Sequence, residues 1–210
     1  MSGDGATRAR LVGALVAGPM LAVVTLIAGT ATAGYDPWAN TISRLASPRQ
    51  PFALPVALSF VLYGLLVLWA ATPLASAFGS RGRTAFVLLS MYGAAGVVCG
   101  LAPKDLPDVA TTPASRVHVA ATIVGGVAVL GCMAIAVAQS PSGAWRRTTL
   151  AALLATIVAA VTFRQAWGTS IYGALERVVL GVPMLWVTAL AARALDGITH
   201  PNTGVELTRG

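Results

Sequence analysis

Ser43, His118 and the acidic side chains Asp36, Asp105 and Glu176 are the residues of this sequence whose types permit reaction chemistry. A Ser hydroxyl beside a His, with a carboxylate orienting the ring, is the arrangement for nucleophilic acyl transfer. Ser43 and His118, with Asp36 or Asp105, supply those types. No nucleophile-elbow pattern surrounds Ser43, so the residue types allow this chemistry without singling it out. A zinc site takes three or four His, Cys or carboxylate ligands. The chain has two histidines, and His200 falls in the C-terminal tail, so no metal and no cofactor are expected. A Gly-rich phosphate loop and a Cys-x-x-Cys pair are also missing from the sequence. The other chemistry on offer is recognition: Arg44, Arg116 and Arg177 suit an anionic headgroup, and Trp38 suits its apolar part.

The chain is 56% hydrophobic and 10% charged, with a mean hydropathy of +0.77. Soluble domains carry about 25% charged residues. The deficit lies in long uncharged runs, which mark membrane-spanning helices. Six are predicted, over about 11–32, 52–78, 84–102, 115–138, 148–163 and 171–194. The fold class is therefore all-α, a six-transmembrane-helix bundle. Residues 1–10 form an N-terminal tail, 11–194 the transmembrane domain and 195–210 a C-terminal tail. The first run is longer than the core of a signal peptide, so it is read as an uncleaved anchor. Gly93, Gly96 and Gly100 make a stripe of small residues that lets a neighbouring helix approach.

The net charge is +7. The basic residues stand singly or in pairs at the ends of apolar runs, which suits lipid anchoring and excludes a nucleic-acid-binding stripe. Eight of them (Arg8, Arg10, Arg81, Arg83, Arg146, Arg147, Arg193, Arg209) fall on one side and six (Arg44, Arg49, Lys104, Arg116, Arg164, Arg177) on the other. The positive-inside rule then places both termini in the cytoplasm. The Ala, Gly and Arg bias suggests a bacterial plasma membrane. Cys99 and Cys132 fall about 20 Å apart in depth at 1.5 Å per residue, too far for a disulfide, and are read as core residues.

This topology brings one polar set to the outer face: Asp36, Asn40, Ser43 and Arg44 from the first loop, Asp105 and Asp108 from the second, Arg116 and His118 from the fourth helix, and Glu176 and Arg177 from the sixth. Ionisable groups at that depth pair or line a cavity. The expected pairs are Glu176 with Arg116 or Arg44, and His118 with Asp36 or Asp105. Plainer roles compete. Glu176 and Arg177 are an ion pair locking a helix to a loop, His118 is satisfied by a backbone carbonyl, Ser43 caps a short helix over 43–47, and Tyr35 and Trp38 are belt aromatics.

Three motifs resemble a known family. They are Tyr35-Asp36-Pro37-Trp38 leading into Thr41-Ile42-Ser43-Arg44-Leu45; Gly100-Leu101-Ala102-Pro103-Lys104-Asp105 followed by Arg116-Val117-His118; and Gly173-Ala174-Leu175-Glu176-Arg177. Their order over about residues 10–195 resembles the bacterial membrane proteins grouped as domain of unknown function 998. Arg44 stands where that pattern has an acidic residue. The resemblance implies a six-helix membrane protein with this polar set facing outward, and it carries no reaction.

Three functions follow as expectations. The first is binding of a lipid or amphiphile headgroup, or of a membrane-protein partner, by Asp36, Trp38, Ser43, Arg44, Asp105, Arg116, His118, Glu176 and Arg177. The second is an intramembrane lipid hydrolase using Ser43, His118 and an Asp. The third is a structural subunit of a membrane complex.

Overall fold

The computed structural model describes residues 3–106, 110–141 and 143–199, and every regular element among them is a helix. These are α1 (Gly3–Ala31), α2 (Ile42–Leu45), α3 (Ala53–Ser76), α4 (Gly82–Leu101), α5 (Pro113–Gln139), α6 (Ala144–Gln165) and α7 (Tyr172–Thr199), with a 3-10 turn at Gly79–Arg81. All but α2 contain 20 to 29 residues and are apolar enough to cross a membrane. At 1.5 Å per residue the shortest is about 30 Å, the thickness of a bilayer core.

Local chemistry sets the helix ends. Thr112 caps α5 by accepting the Ser115 N–H at 3.3 Å, and Pro113 occupies the first turn, where its missing N–H costs nothing. Pro103 stops α4. The turns after α1 and α6 use glycines with positive φ, Gly34 at 72° and Gly168 at 79°.

Consecutive long helices pack side by side, α1 on α3, α3 on α4, α4 on α5, α5 on α6 and α6 on α7, and α7 returns to α1, closing a ring. Leu11, Leu21, Val56, Val67, Leu89, Met133 and Val187 lie in the buried core. Leu26, Leu58, Ile123, Val127, Val158 and Leu185 point outward, a large apolar exterior that suits lipid. The Gly stripe does pack a helix. A Cβ at Gly93 would press on the Gly64 carbonyl and Leu68, and one at Gly100 on Ala57 and Val61, so α3 and α4 touch backbone to backbone.

Six alternating spans put the start of α1 and the end of α7 at one end of the ring. The loops 32–52 and 166–171, with residues 102–106 and 110–112 between α4 and α5, lie at the other, the site end. The two largest departures from the expected helix bounds are at the outer ends of the first and last helices. Helix α1 already begins at Gly3 and α7 runs to Thr199, because polar end residues extend a helix beyond the apolar stretch that hydropathy detects. Asp108, His200 and Arg209 lie outside the described residues.

Candidate functional site: a buried Ser–His–Glu cluster under the first loop

The first loop folds inward instead of spreading over the surface. The Asp36 carboxylate accepts the Trp38 N–H at 2.9 Å, a local turn that Pro37 favours. The chain then bends back so that the Trp38 carbonyl accepts the Ala174 N–H of α7 at 2.9 Å. This satisfies an orphan donor in the first turn of that helix. Gly173 makes the approach possible, since any Cβ there would overlap the Asn40 backbone. Arg177 clamps the same turn. Its Nη1 donates to the carbonyls of Asn40 at 3.0 Å, Pro37 at 2.5 Å and Gly173 at 2.9 Å, and its Nη2 donates to the Tyr35 hydroxyl at 2.5 Å. The Tyr35 hydroxyl faces the carbonyls of Asn40 and Thr41 as acceptors. Burial pushes the Tyr35 phenol above its ordinary range, and the adjacent Arg177 guanidinium pulls only partly the other way. Tyr35 therefore stays a donor at neutral pH.

This fold carries the one-turn helix α2 into the end of the ring, where Ser43 and Leu45 are buried. Ser43 meets two groups. Its hydroxyl lies 2.8 Å from Glu176 Oε1 of α7 and 3.3 Å from His118 Nε2 of α5. The other carboxylate oxygen of Glu176 accepts the Ile42 N–H. His118 Nδ1 faces the carbonyls of Ala102 at 2.9 Å and Cys99 at 3.1 Å. In an α-helix the Cys99 carbonyl would accept the N–H of residue 103, but that residue is Pro103. The ring of His118 takes the place of the missing donor. Exposure is 6% for Ser43, 3% for His118 and 6% for Glu176, so the cluster is closed off from solvent.

The second loop braces the first. Ser47 donates to the Lys104 carbonyl at 2.6 Å. Asp105 accepts the Thr112 N–H at 2.6 Å and its own N–H donates to Ser115 Oγ at 3.3 Å, which ties the loop to the start of α5. Lys104 stands over the Trp167 ring at 5.7 Å, and Trp167 meets Tyr172 edge-on. A depression of about 460 Å³ lined by Ser80, Arg81, Ala134, Ile135, Ala138 and Gln139 lies at the opposite end of the ring.

Of the residues expected to share a site, Ser43, His118 and Glu176 meet directly, and Arg177 borders them through the loop. Four expectations need correction. Glu176 faces neither Arg116 nor Arg44; its partners are Ser43 and the Ile42 N–H. His118 faces neither Asp36 nor Asp105, because both carboxylates are used in their own turns and the ring is held by backbone carbonyls. Glu176 and Arg177, adjacent on α7, point to different partners; Arg177 does lock the helix to a loop, through carbonyls and a phenol. Ser43 caps nothing: the short helix runs Ile42–Leu45 with Thr41 at its N-cap, so Ser43 is inside it with its side chain turned to the cluster. Arg116 and Trp38 are exposed and Arg44 is half-buried. Among the described residues Arg44, Arg49, Arg116 and Arg164 have no carboxylate within ion-pair distance.

Sequence reasoning missed Ser47 and Tyr35 as polar partners; it offered a backbone carbonyl for His118 without saying which, and the structure supplies those of Ala102 and Cys99. A proline just past a helix end, which leaves a carbonyl without its donor, was the available signal for the last of these. Three groups that each need a hydrogen bond satisfy one another here, and the cluster is able to exchange protons or to activate a hydroxyl. The combination of six spanning helices, an inward-folded first loop and this polar cluster defines a multi-pass helical membrane protein. The family model described as protein of unknown function (DUF998) matches residues 15–193, and the chain belongs to that family. Comparison with curated proteins and with solved structures gave no match.

Proposed function

We propose that this protein binds the anionic headgroup of a membrane amphiphile at the site end of the ring. One observation carries the reading: Arg44, Arg49, Arg116 and Arg164 gather at that end without carboxylate partners among the described residues. Trp38 and Trp167 are exposed at the same end, where their rings would pack on the apolar part of the ligand. Arg177, saturated by the loop, holds the platform instead of the ligand. We read the site end as the outer face of a bacterial plasma membrane, with both termini cytoplasmic. The eight-to-six distribution of basic residues supports that orientation. The experiment is lipid retention by native mass spectrometry, comparing phosphatidylglycerol with phosphatidylcholine. The double variant Arg44→Ala/Arg116→Ala should retain less phosphatidylglycerol than wild type, whereas Arg81→Ala/Arg83→Ala at the other end should not. Equal retention by both variants rejects the site.

A second reading, a lipid hydrolase, is favoured by the contact of Ser43 Oγ with His118 Nε2. Ser43 would be the nucleophile and His118 its base. The ring is oriented by two carbonyls instead of the Asp expected from the sequence. A fluorophosphonate probe that labels wild type and fails on Ser43→Ala would support it, and a folded wild type that takes no label opposes it. A docking role for a membrane-protein partner, or a purely structural one in a membrane complex, has no specific contact in its favour.

A further inference from the structure

The hydrogen bonds at Ser43 place a requirement on protons that no side chain there meets alone. Both atoms facing His118 Nδ1 are carbonyl oxygens, which only accept, so Nδ1 carries a hydrogen. Ser43 has one hydroxyl proton and two neighbours, Glu176 Oε1 and His118 Nε2. If Glu176 is ionised and Nε2 is bare, both neighbours are acceptors and one contact is left without a proton. The row is complete only when one further proton is present.

We propose that Glu176, Ser43 and His118 are a proton-transfer site that holds one shared proton in a continuous row. Two forms satisfy every contact. In the first, the Glu176 carboxyl donates to Ser43 Oγ and the Ser43 hydroxyl donates to a neutral His118 at Nε2. In the second, the His118 imidazolium donates from Nε2 to Ser43 Oγ and the Ser43 hydroxyl donates to the Glu176 carboxylate. Both contain the same number of protons and both are neutral overall. Passage between them moves two protons, each across one hydrogen bond, with no net charge entering the buried space. Burial favours the neutral sum, because an isolated charge there would be poorly solvated. Ser43 is thus a relay whose hydroxyl reports which end holds the proton.

The titratable and charged groups around the row are compatible with this state. Lys104 from the second loop and Arg177 from α7 act on Glu176, and Lys104 also acts on His118. Tyr35 from the first loop, Cys99 from α4 and Tyr172 from α7 are the other titratable groups near Glu176. Arg177 is already engaged by carbonyls and the Tyr35 phenol, and the Lys104 ammonium rests over Trp167. Neither makes an ion pair with Glu176, so the carboxylate has no fixed counter-charge of its own.

The inference stands apart from both functional readings and is tested without ligand or substrate. The full chain in lipid nanodiscs is studied by infrared spectroscopy of the carboxyl C=O stretch and by nitrogen-15 NMR of labelled His, with His118→Gln assigning the signal. At neutral pH we expect either a protonated-carboxyl band that Glu176→Gln removes, or a His118 imidazolium signal that Glu176→Gln abolishes. In either case Ser43→Ala should shift the surviving signals of both partners, and Ser43→Thr, which keeps a hydroxyl, should restore them. An ionised Glu176 beside a neutral His118 in wild type overturns the shared proton. Signals that Ser43→Ala leaves unmoved overturn the relay. Because the wild-type spectra alone decide the first point, a variant that fails to fold does not remove the test.

Discussion

Replacing Arg177 by Ala removes the clamp between the first loop and α7, and its cost follows from the contacts. Three of the four acceptors of the guanidinium, Pro37, Asn40 and the Tyr35 hydroxyl, belong to the loop; the fourth, Gly173, is on its own helix. A hydrogen bond from a charged donor contributes about 1.5–3 kcal/mol net. Arg177 is half-buried and the freed carbonyls regain water, so the sum must be discounted, to about 2–4 kcal/mol. For a chain of this length that corresponds to a Tm lower by about 4–16 °C. The assay is thermal unfolding in detergent, with hydrogen exchange of the amides of residues 36–42 as a local readout. Arg116→Ala is the control, since that side chain is exposed and makes no hydrogen bond among the described residues; it should stay within about 0.5 kcal/mol of wild type. The reasoning fails if the two variants unfold alike, or if the loop amides of Arg177→Ala stay as protected as before.

Two further outcomes follow from close backbone contacts. Gly173→Ala drives a Cβ into the Asn40 backbone and should cost about 1–3 kcal/mol or more, whereas Gly126→Ala meets open space and should gain some of the ~0.5–1 kcal/mol by which Ala exceeds Gly in a helix; thermal unfolding of the two variants checks the contrast. Pro103→Ala supplies a backbone N–H for the Cys99 carbonyl and so competes with His118 Nδ1; the His118 nitrogen-15 signal should move while Tm changes little, and an unmoved signal would show that the proline does not set the ring.

Much of the fold was legible because membrane helices advertise themselves. Six uncharged runs gave the element order, and the closely spaced glycines on α4 gave a packing face. The ends of α1 and α7 were not legible, because hydropathy reports depth in the membrane and not helicity. The site was half legible. Sequence position brought Ser43, His118 and Glu176 to one end, and the backbone-carbonyl reading of His118 holds, but Glu176 was paired with an Arg and His118 with an Asp on the assumption that opposite charges find each other. The backbone decides instead: an orphaned carbonyl at Cys99 captures His118, and an inward fold of the first loop presents the Ile42 N–H to Glu176. The Ile42 contact has no signature in residue type, since its donor is main chain, and the Cys99 contact is signalled only indirectly, by Pro103. Arg177 likewise is adjacent to Glu176 in sequence, yet it bonds to the Pro37 and Asn40 carbonyls and Tyr35.

The most direct test of the central claim, that α2 carries Ser43 into contact with α5 and α7, is a double-mutant cycle between Ser43→Ala and Glu176→Gln. Stability is read by thermal unfolding of the full chain in one detergent. Residues sharing a buried hydrogen bond couple by about 0.5–3 kcal/mol, and distant ones add. The account requires a coupling of about 1 kcal/mol or more, with the double variant less damaged than the sum of the singles. Additive losses would mean that Ser43 and Glu176 do not meet, and the first loop would then lie on the surface instead of within the ring.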